Sequence, residues 1–272
     1  MKRRPFVLNT HGSLLGYKKY LSSPWQRLPY QFYDWVTLKT SARRAQAVVV
    51  SSKLEYSDAL EFGIDKRKIH IIPMGIDCIA EVDRTRENET KELRLLFVGR
   101  IARVRRLELV LQAVQKLLIP WKLTVVGGEA ETASVARSGY MGELKNLCRS
   151  LEIEDRVHFA GFKNPEELRT YYQSSDVFVY ASLYENFSQP LLEAAGAGLP
   201  LVTTEVGIAK EIADDGGALL AEGSPESLSA CIESLQDPGL RLSMGKAAQK
   251  SVQKRFDWNT IMQNYMELYR SL

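Results

Sequence analysis

The hydrophobic positions of this chain change period several times, and each change marks an element. Short β-branched and aliphatic runs at 5–9 (PFVLN), 47–51 (AVVVS) and 69–73 (IHIIP) predict three buried strands before residue 77. A helical pattern at 53–62, closed by Gly63, lies between the second and third. Residues 13–45 read as loop and helix, and Pro24 and Pro29 argue against a single long helix there. Residues 81–92 (EVDRTRENETKE) have Val82 as their one large aliphatic side chain, the composition of a solvated connector. After it, strands at 93–98, 122–126, 157–160, 177–180, 201–204 and 218–220 alternate with helical patterns near 107–118, 139–150, 165–173, 189–197 and 208–213. Such alternation predicts a doubly wound parallel sheet with helices on both faces. Helical patterns at 227–233, 241–256 and 258–269 close the chain.

The stretch 174–204 contains one complete strand, loop, helix and strand. Its loop and helix start would face the carboxyl edge of the sheet, where ligands bind in open α/β folds. Glu185 lies in that loop and Glu193 in the second turn of the helix, while Ser188 is the candidate N-cap and Pro190 falls in the first turn. Taken alone, two such glutamates read equally well as a solvated loop acid and a helix-dipole partner.

Composition adds two points. Hydrophobic residues at 45% and charged residues at 25% are those of an ordinary soluble protein, and no apolar run approaches the roughly 20 residues that span a bilayer. With no signal-peptide pattern at Met1, a cytoplasmic address is expected. Cys78, Cys148 and Cys231 are scattered and lack nearby histidines, so they read as buried thiols and not as a disulfide framework or zinc site. The net charge of +3 is unevenly spread: residues 1–44 carry nine Lys or Arg against Asp34 alone. Tyr17, Tyr20, Trp25, Tyr30, Phe32, Tyr33 and Trp35 lie in the same segment, and a basic, aromatic surface over 17–44 suits peripheral contact at the inner face of a membrane. No nucleic-acid partner is expected, because these cations sit on no recognition module.

The candidate chemistry gathers at strand ends. Phe97-Val98-Gly99-Arg100, followed by Arg103, Arg105 and Arg106, offers a glycine turn, a helix start and guanidinium groups to a diphosphate. No Asp-x-Asp pair stands at a strand end, so no metal is expected.

The string ENFSQPLLEAAGAGLPLVTT resembles the Glu-x7-Glu donor motif of the retaining glycosyltransferases of family 4, which have the two-domain GT-B fold. VGRIARVRRLELVLQA is similar to that family's phosphate-gripping VGRLVPEKGVDLLLEA, and IIPMGID to its VIPNGVD. The resemblance implies a GT-B-like α/β chain with a complete C-terminal doubly wound parallel-sheet domain and a partial N-terminal α/β domain. By it, 1–77 is an acceptor-side domain, 78–92 a linker, 93–256 the nucleotide-sugar-binding domain, and 257–272 a helix crossing back.

The same resemblance assigns roles. Arg100 and Arg105 hold the donor diphosphate, although an arginine in place of lysine is no isostere. The backbone N–H groups of Phe187, Ser188 and Gln189 hold the sugar, and Phe162, Lys163 and Glu193 the nucleoside. Glu185 and His11, the latter in the turn Thr10-His11-Gly12, are the catalytic pair. Departures are plain: Asn186 and Ser188 replace two glycines of the family loop, Arg106 replaces a third, and Met74 replaces an asparagine. The family's first glycine-rich loop has no counterpart, which leaves open a longer gene, a partner subunit completing the N-terminal domain, or a relic that binds without turnover. The implied function is hexosyl transfer from a nucleotide sugar to a glycan or lipid-linked acceptor in cell-envelope polysaccharide or glycolipid synthesis. The alternatives are an inactive or partner-dependent donor-binding subunit, a GT-B sugar epimerase, and an NAD oxidoreductase, whose GxGxxG turn is missing.

Overall fold

The computed structural model describes residues 5–11, 14–15, 24–76, 92–129 and 139–272. Gly12, residues 17–23 and all of the expected linker except Glu92 lie outside the described residues. The chain divides into two compact units, one of Met1–Asp77, Tyr184–Ser188 and Phe256–Leu272, the other of Cys78–Leu183 and Gln189–Arg255. The expectation that 93–256 forms one continuous domain thus meets a difference: the five residues Tyr184–Ser188 pack with the first unit.

The first unit is built on three parallel strands, β1 (Val7–Asn9), β2 (Ala47–Val50) and β3 (Ile69–Ile71), with β2 in the middle. All four residues of β2 are buried, which is why its sequence is an unbroken apolar run. Its alternate residues serve two cores. Val48 and Val50 pack with Leu14, Ala59, Phe62 and Ile64 around helix α3 (Lys53–Glu61). Ala47 and Val49 pack with Ile72 and with Ile261 and Leu268 of the C-terminal helix, Trp258–Arg270. That helix starts where the Asp257 carboxylate accepts the Thr260 N–H, and its Trp258 ring lies so close to Gly75 that a Cβ there would fall 2.5 Å from it.

Within the expected loop and helix of 13–45, the described residues 24–45 form a nearly continuous helical run. Helix α1 (Pro24–Tyr33), a π-turn (Asp34–Leu38) and α2 (Lys39–Arg44) follow one another without a break. Pro24 costs nothing as the first helical residue, whereas Pro29 sits inside α1 and removes the N–H that would bond one turn back. Trp25, Leu28, Phe32 and Trp35 are exposed along this run. Among the described residues no helix is long and apolar enough to cross a membrane.

The second unit is a six-stranded, wholly parallel sheet of β4 (Leu93–Val98), β5 (Trp121–Val126), β6 (Val157–Gly161), β7 (Val177–Tyr180), β8 (Leu201–Thr203) and β9 (Ala218–Leu220). Their spatial order is β6-β5-β4-β7-β8-β9. The chain therefore winds outward from β4 to β6, returns beside β4 as β7, and winds out the other way. Helix α4 (Leu107–Gln115) packs on α5 (Tyr140–Ser150) and on α9 (Pro225–Ser234). Helix α10 (Pro238–Arg255) packs on α7 (Gln189–Gly196) and α8 (Ala209–Asp214). Two helical layers result, as right-handed crossovers require. Between β6 and β7, α6 (Pro165–Ser174) opens with a full capping box in which Asn164 and Glu167 bond each other's backbone N–H. The C-terminal helix Trp258–Arg270 is α11.

At the carboxyl edge the glycines are sterically required. Gly127 has φ 141°, and a Cβ on it would sit 1.9 Å from the carbonyl oxygen of Gly99. Backbone bonds from Gly99 N–H to Val126 and from Gly127 N–H to Gly161 carry the ladder through these turns. The substitution G127A is expected to destabilise the fold by about 3 kcal/mol or more, since it combines a forbidden φ with a backbone collision. Equilibrium urea unfolding, followed by circular dichroism, measures the loss.

Candidate functional site

The sheet order of the second unit has one switch point, between β4 and β7, where the outgoing loops diverge and leave a crevice. The β4–α4 loop there carries the arginines. Arg100 directly follows β4 and Gly99, is exposed, and has no hydrogen-bond or ion-pair partner among the described residues. Arg105 donates from Nη1 to Ser182 Oγ at 3.2 Å, with its guanidinium 6.0 Å from the Tyr180 ring. Ser182 Oγ in turn donates to the Val104 carbonyl at 3.1 Å, and the Leu183 N–H to the same oxygen at 2.8 Å. The arginine loop is thus bonded directly to the residues that lead into Glu185.

The other two arginines of the cluster, Arg103 and Arg106, are engaged with side chains and backbone elsewhere in the unit. Arg103 forms an ion pair with Glu143 at 2.6 Å and lies 4.9 Å over the Tyr140 ring, tying the loop to α5. Tyr140 donates its hydroxyl to Glu108, and burial together with that carboxylate raises its phenol above the ordinary value. Arg106, at the position where the resembling family motif has glycine, is left-handed (φ 51°, ψ 43°), a conformation glycine adopts freely. Its guanidinium donates to the Gly223 carbonyl at 2.6 Å, so it is directed toward the β9–α9 loop.

The nucleoside candidates stand on neighbouring elements of the same unit. Phe162 follows β6 and Gly161 (φ 72°) and is 82% exposed, an aromatic face left in solvent at the sheet edge. Lys163 is tied back to Glu167 at 3.6 Å and lies 5.9 Å from the Tyr171 ring. Glu193 is half-buried on α7, where its Oε2 accepts the Tyr172 hydroxyl at 2.9 Å. Burial first, and the Glu193 charge second, push the Tyr172 phenol well above its ordinary value.

The catalytic candidates fall in the first unit. His11 is exposed in a left-handed turn (φ 43°) at the end of β1, its N–H 3.4 Å from Asn9 Oδ1, while Asn9 Nδ2 donates to Tyr265 of α11 at 3.0 Å. The preceding residue, Thr10, donates to Glu55 Oε1 at 2.6 Å. Glu55 is 1% exposed, and its other oxygen accepts both the N–H and the hydroxyl of Ser51 at 2.7 Å each. Ser51 Oγ lies 3.4 Å from Asn186 Nδ2, Ser52 donates to the Asn186 carbonyl, and Tyr184 donates to Asp58 at 2.9 Å. One buried carboxylate thus joins the His11 turn to the loop of Glu185, itself half-buried. Sequence reasoning missed Glu55. The signal was the Ser52-x-x-Glu55 spacing, which promises a capping box, but only half forms: Ser52 Oγ accepts the Glu55 N–H, and the carboxylate serves β1 and β2 instead.

The sugar-loop residues resolve differently from one another. Phe187 is buried edge-on against Phe256 at 5.7 Å, so its backbone alone is left for a ligand. Ser188 is no N-cap: it is left-handed (φ 73°), 3% exposed, and its hydroxyl has no hydrogen-bond partner. A left-handed φ is incompatible with N-cap geometry, which is extended. Gln189 is half-buried as the first residue of α7. Among the described residues, no group of three or more His, Cys, Asp and Glu is arranged to hold a metal ion.

Two α/β units, the second with an arginine-bearing loop at its switch point, define a class of protein, the GT-B glycosyltransferases. HepE of Anabaena superposes with a TM-score of 0.83 over 99% of this chain and 72% of its own, at 22% identity. Sucrose-phosphate synthase of Thermosynechococcus elongatus superposes at 0.79 over 97% and 67%, at 25% identity. The chain belongs to the family 4 glycosyltransferases: the family model of glycosyl transferases group 1 matches residues 80–251 and that of glycosyltransferase family 4 residues 1–79. An uncharacterized glycosyltransferase of Methanocaldococcus jannaschii is 28% identical over 98% of this chain and 70% of its own length. A D-inositol 3-phosphate glycosyltransferase of Kineococcus radiotolerans is 28% identical over 83% of this chain, which spans 57% of that relative.

Two outcomes follow from the geometry. S188G should raise stability by about 1 kcal/mol in urea unfolding, because it removes a left-handed β-carbon and an unsatisfied buried hydroxyl at the cost of glycine's chain entropy. For Tyr172 the folded phenol holds its proton more tightly than the unfolded one, so its stabilisation is complete below about pH 10 and is lost as pH rises further. Y172F is therefore less stable than wild type at neutral pH but declines less steeply above about pH 10, as stability measured against pH will record.

Proposed function

We propose that this glycosyltransferase moves a hexosyl group, with retention of anomeric configuration, from a nucleotide diphosphate sugar to a glycan or lipid-linked acceptor. The observation that carries the reading is the hydrogen-bonded junction of Val104, Arg105, Ser182 and Leu183. It holds the Arg105 guanidinium on Ser182, just ahead of the Glu-x7-Glu motif in sequence, which supports a sugar diphosphate as ligand. HepE has been solved with UDP, glucose and UDP-glucose, which supports a nucleotide-sugar donor. Relatives that include a D-inositol 3-phosphate glycosyltransferase and an MMP alpha-(1->4)-mannosyltransferase support hexosyl transfer as the reaction.

In this reading Arg100 and Arg105 neutralise the diphosphate, with the N-terminus of α7 adding its dipole. No metal takes part. Phe162 and Lys163 meet the base and Glu193 the ribose. The N–H groups of Phe187, Ser188 and Gln189 meet the sugar, and a sugar hydroxyl satisfies the orphan Ser188 Oγ. Glu185 and His11 orient the sugar about its anomeric carbon. The acceptor oxygen attacks that carbon on the face from which the diphosphate leaves; the carbon–oxygen bond to phosphate breaks, and the departing phosphate oxygen takes the acceptor's proton. Charge developing on the leaving group is stabilised by preorganised donors. The exposed Trp25, Leu28, Phe32 and Trp35, with the cations of residues 1–44, bring the chain to the membrane surface, where a lipid-linked acceptor resides.

The replacement of two loop glycines by Asn186 and Ser188 favours a second reading, a donor-binding subunit that depends on a partner for turnover. Nucleotide binding and sugar transfer, measured separately, distinguish the two. E193A is expected to weaken nucleotide binding about tenfold or more. E185A should keep nucleotide affinity within about threefold and lose transfer by about a hundredfold or more. Donor binding by wild type without transfer to any acceptor would favour the subunit.

A further inference from the structure

Glu193 does not stand alone on its helix. Its carboxylate has about four lone-pair sites and can only accept hydrogen bonds. One is taken by the Tyr172 hydroxyl at 2.9 Å. Tyr172 sits in the last turn of α6, 2% exposed, and its ring leans on Phe178 of β7 at 6.2 Å. Phe178 stacks on Tyr180 at 6.0 Å, and Tyr180 on Phe97 of β4 at 5.4 Å. Both Phe178 and Tyr180 are fully buried, and Arg105 lies over the Tyr180 ring. A continuous aromatic ladder within one unit therefore runs from the carboxylate on α7 to the arginine loop.

This packing leaves the phenol of Tyr172 little freedom. Its ring is fixed by Phe178, its hydroxyl is out of water, and the burial that raises its pKa keeps the proton on it throughout the neutral range. A buried hydroxyl that donates to a carboxylate restrains its rotamer, because swinging away gives up a charge-assisted hydrogen bond out of water. Glu193 is half-buried, with one oxygen turned to Tyr172 and the other left for a ligand.

We infer that Tyr172 is a positioning residue which fixes the rotamer of Glu193, so that the remaining carboxylate oxygen reads the cis-diol of the donor's ribose and selects ribonucleotides over 2′,3′-dideoxynucleotides. This rests on the assignment of Glu193 to the nucleoside, which the test below checks separately. The selectivity has a physical source. Two vicinal hydroxyls donate to a carboxylate held in advance, whereas a dideoxy sugar leaves that carboxylate oxygen unpaired in a partly desolvated site.

Calorimetric titration of the full chain with UDP, ADP and GDP identifies the nucleotide, and its 2′,3′-dideoxy form supplies the comparison. Wild type is expected to prefer the ribonucleotide about tenfold or more. Y172F should reduce that preference to about threefold or less, mostly through weaker ribonucleotide binding, with dideoxynucleotide affinity nearly unchanged. A purely structural role would weaken both nucleotides alike. Should Y172F not fold, E193Q serves: Tyr172 holds the amide oxygen, the amide NH2 faces the ribose, and selectivity falls to that of E193A. Full ribose preference in Y172F, or in E193Q, overturns the inference and leaves the donor reading intact. Wild-type binding without ribose preference overturns the role of Glu193, and no binding of any of the three nucleotides overturns the donor reading and this inference together.

Discussion

Parallel strands have all their carboxyl ends on one edge, and this constraint organises everything the second unit can do. β4 sits between β5 and β7, so the windings on its two sides diverge at its tip. Loops that leave β4 and β7 are neighbours in space although about eighty residues separate them in sequence. Val104 then meets Ser182 and Leu183, and Arg105 meets Ser182. The close passage of Gly127 over the Gly99 carbonyl belongs to the same edge, where side chains have been removed so that backbone can approach backbone.

In the first unit a single buried acid does comparable work. Glu55 takes hydrogen bonds from Thr10 and from both donors of Ser51, joining the ends of β1 and β2, and through Ser51 and Ser52 it reaches Asn186. A carboxylate 1% exposed is tolerable only with its oxygens satisfied. The candidate catalytic residues His11 and Glu185 are the chain neighbours of two of its members, Thr10 and Asn186.

Departures from the family pattern were met by backbone compliance more than by rearrangement. Arg106 and Ser188 hold left-handed conformations where the family has glycine, a cost of order 1 kcal/mol each. Arg106 offsets it with a charge-assisted bond to Gly223, whereas Ser188 has a buried hydroxyl and no partner. The asymmetry separates a substitution absorbed into the fold from one whose hydroxyl is left unsatisfied.

Much of this was determined by sequence alone. Apolar runs such as AVVV and VFVY are strands because both faces of a parallel sheet are buried, and helical periodicity at 165–173 and 258–269 located helices Pro165–Ser174 and Trp258–Arg270 almost to the residue. The Glu-x7-Glu string and the Gly99-Arg100 turn were legible because their chemistry is local. Partnership was not. Which partners Arg103, Arg105 and Arg106 take, that Glu55 bonds Thr10 forty-five residues away, that Tyr172 bonds Glu193, and that Tyr184–Ser188 pack with the first unit were decided by tertiary structure. A hydrogen bond depends on distance and direction in space, and the one-dimensional pattern carries neither once the chain has crossed from one element to another.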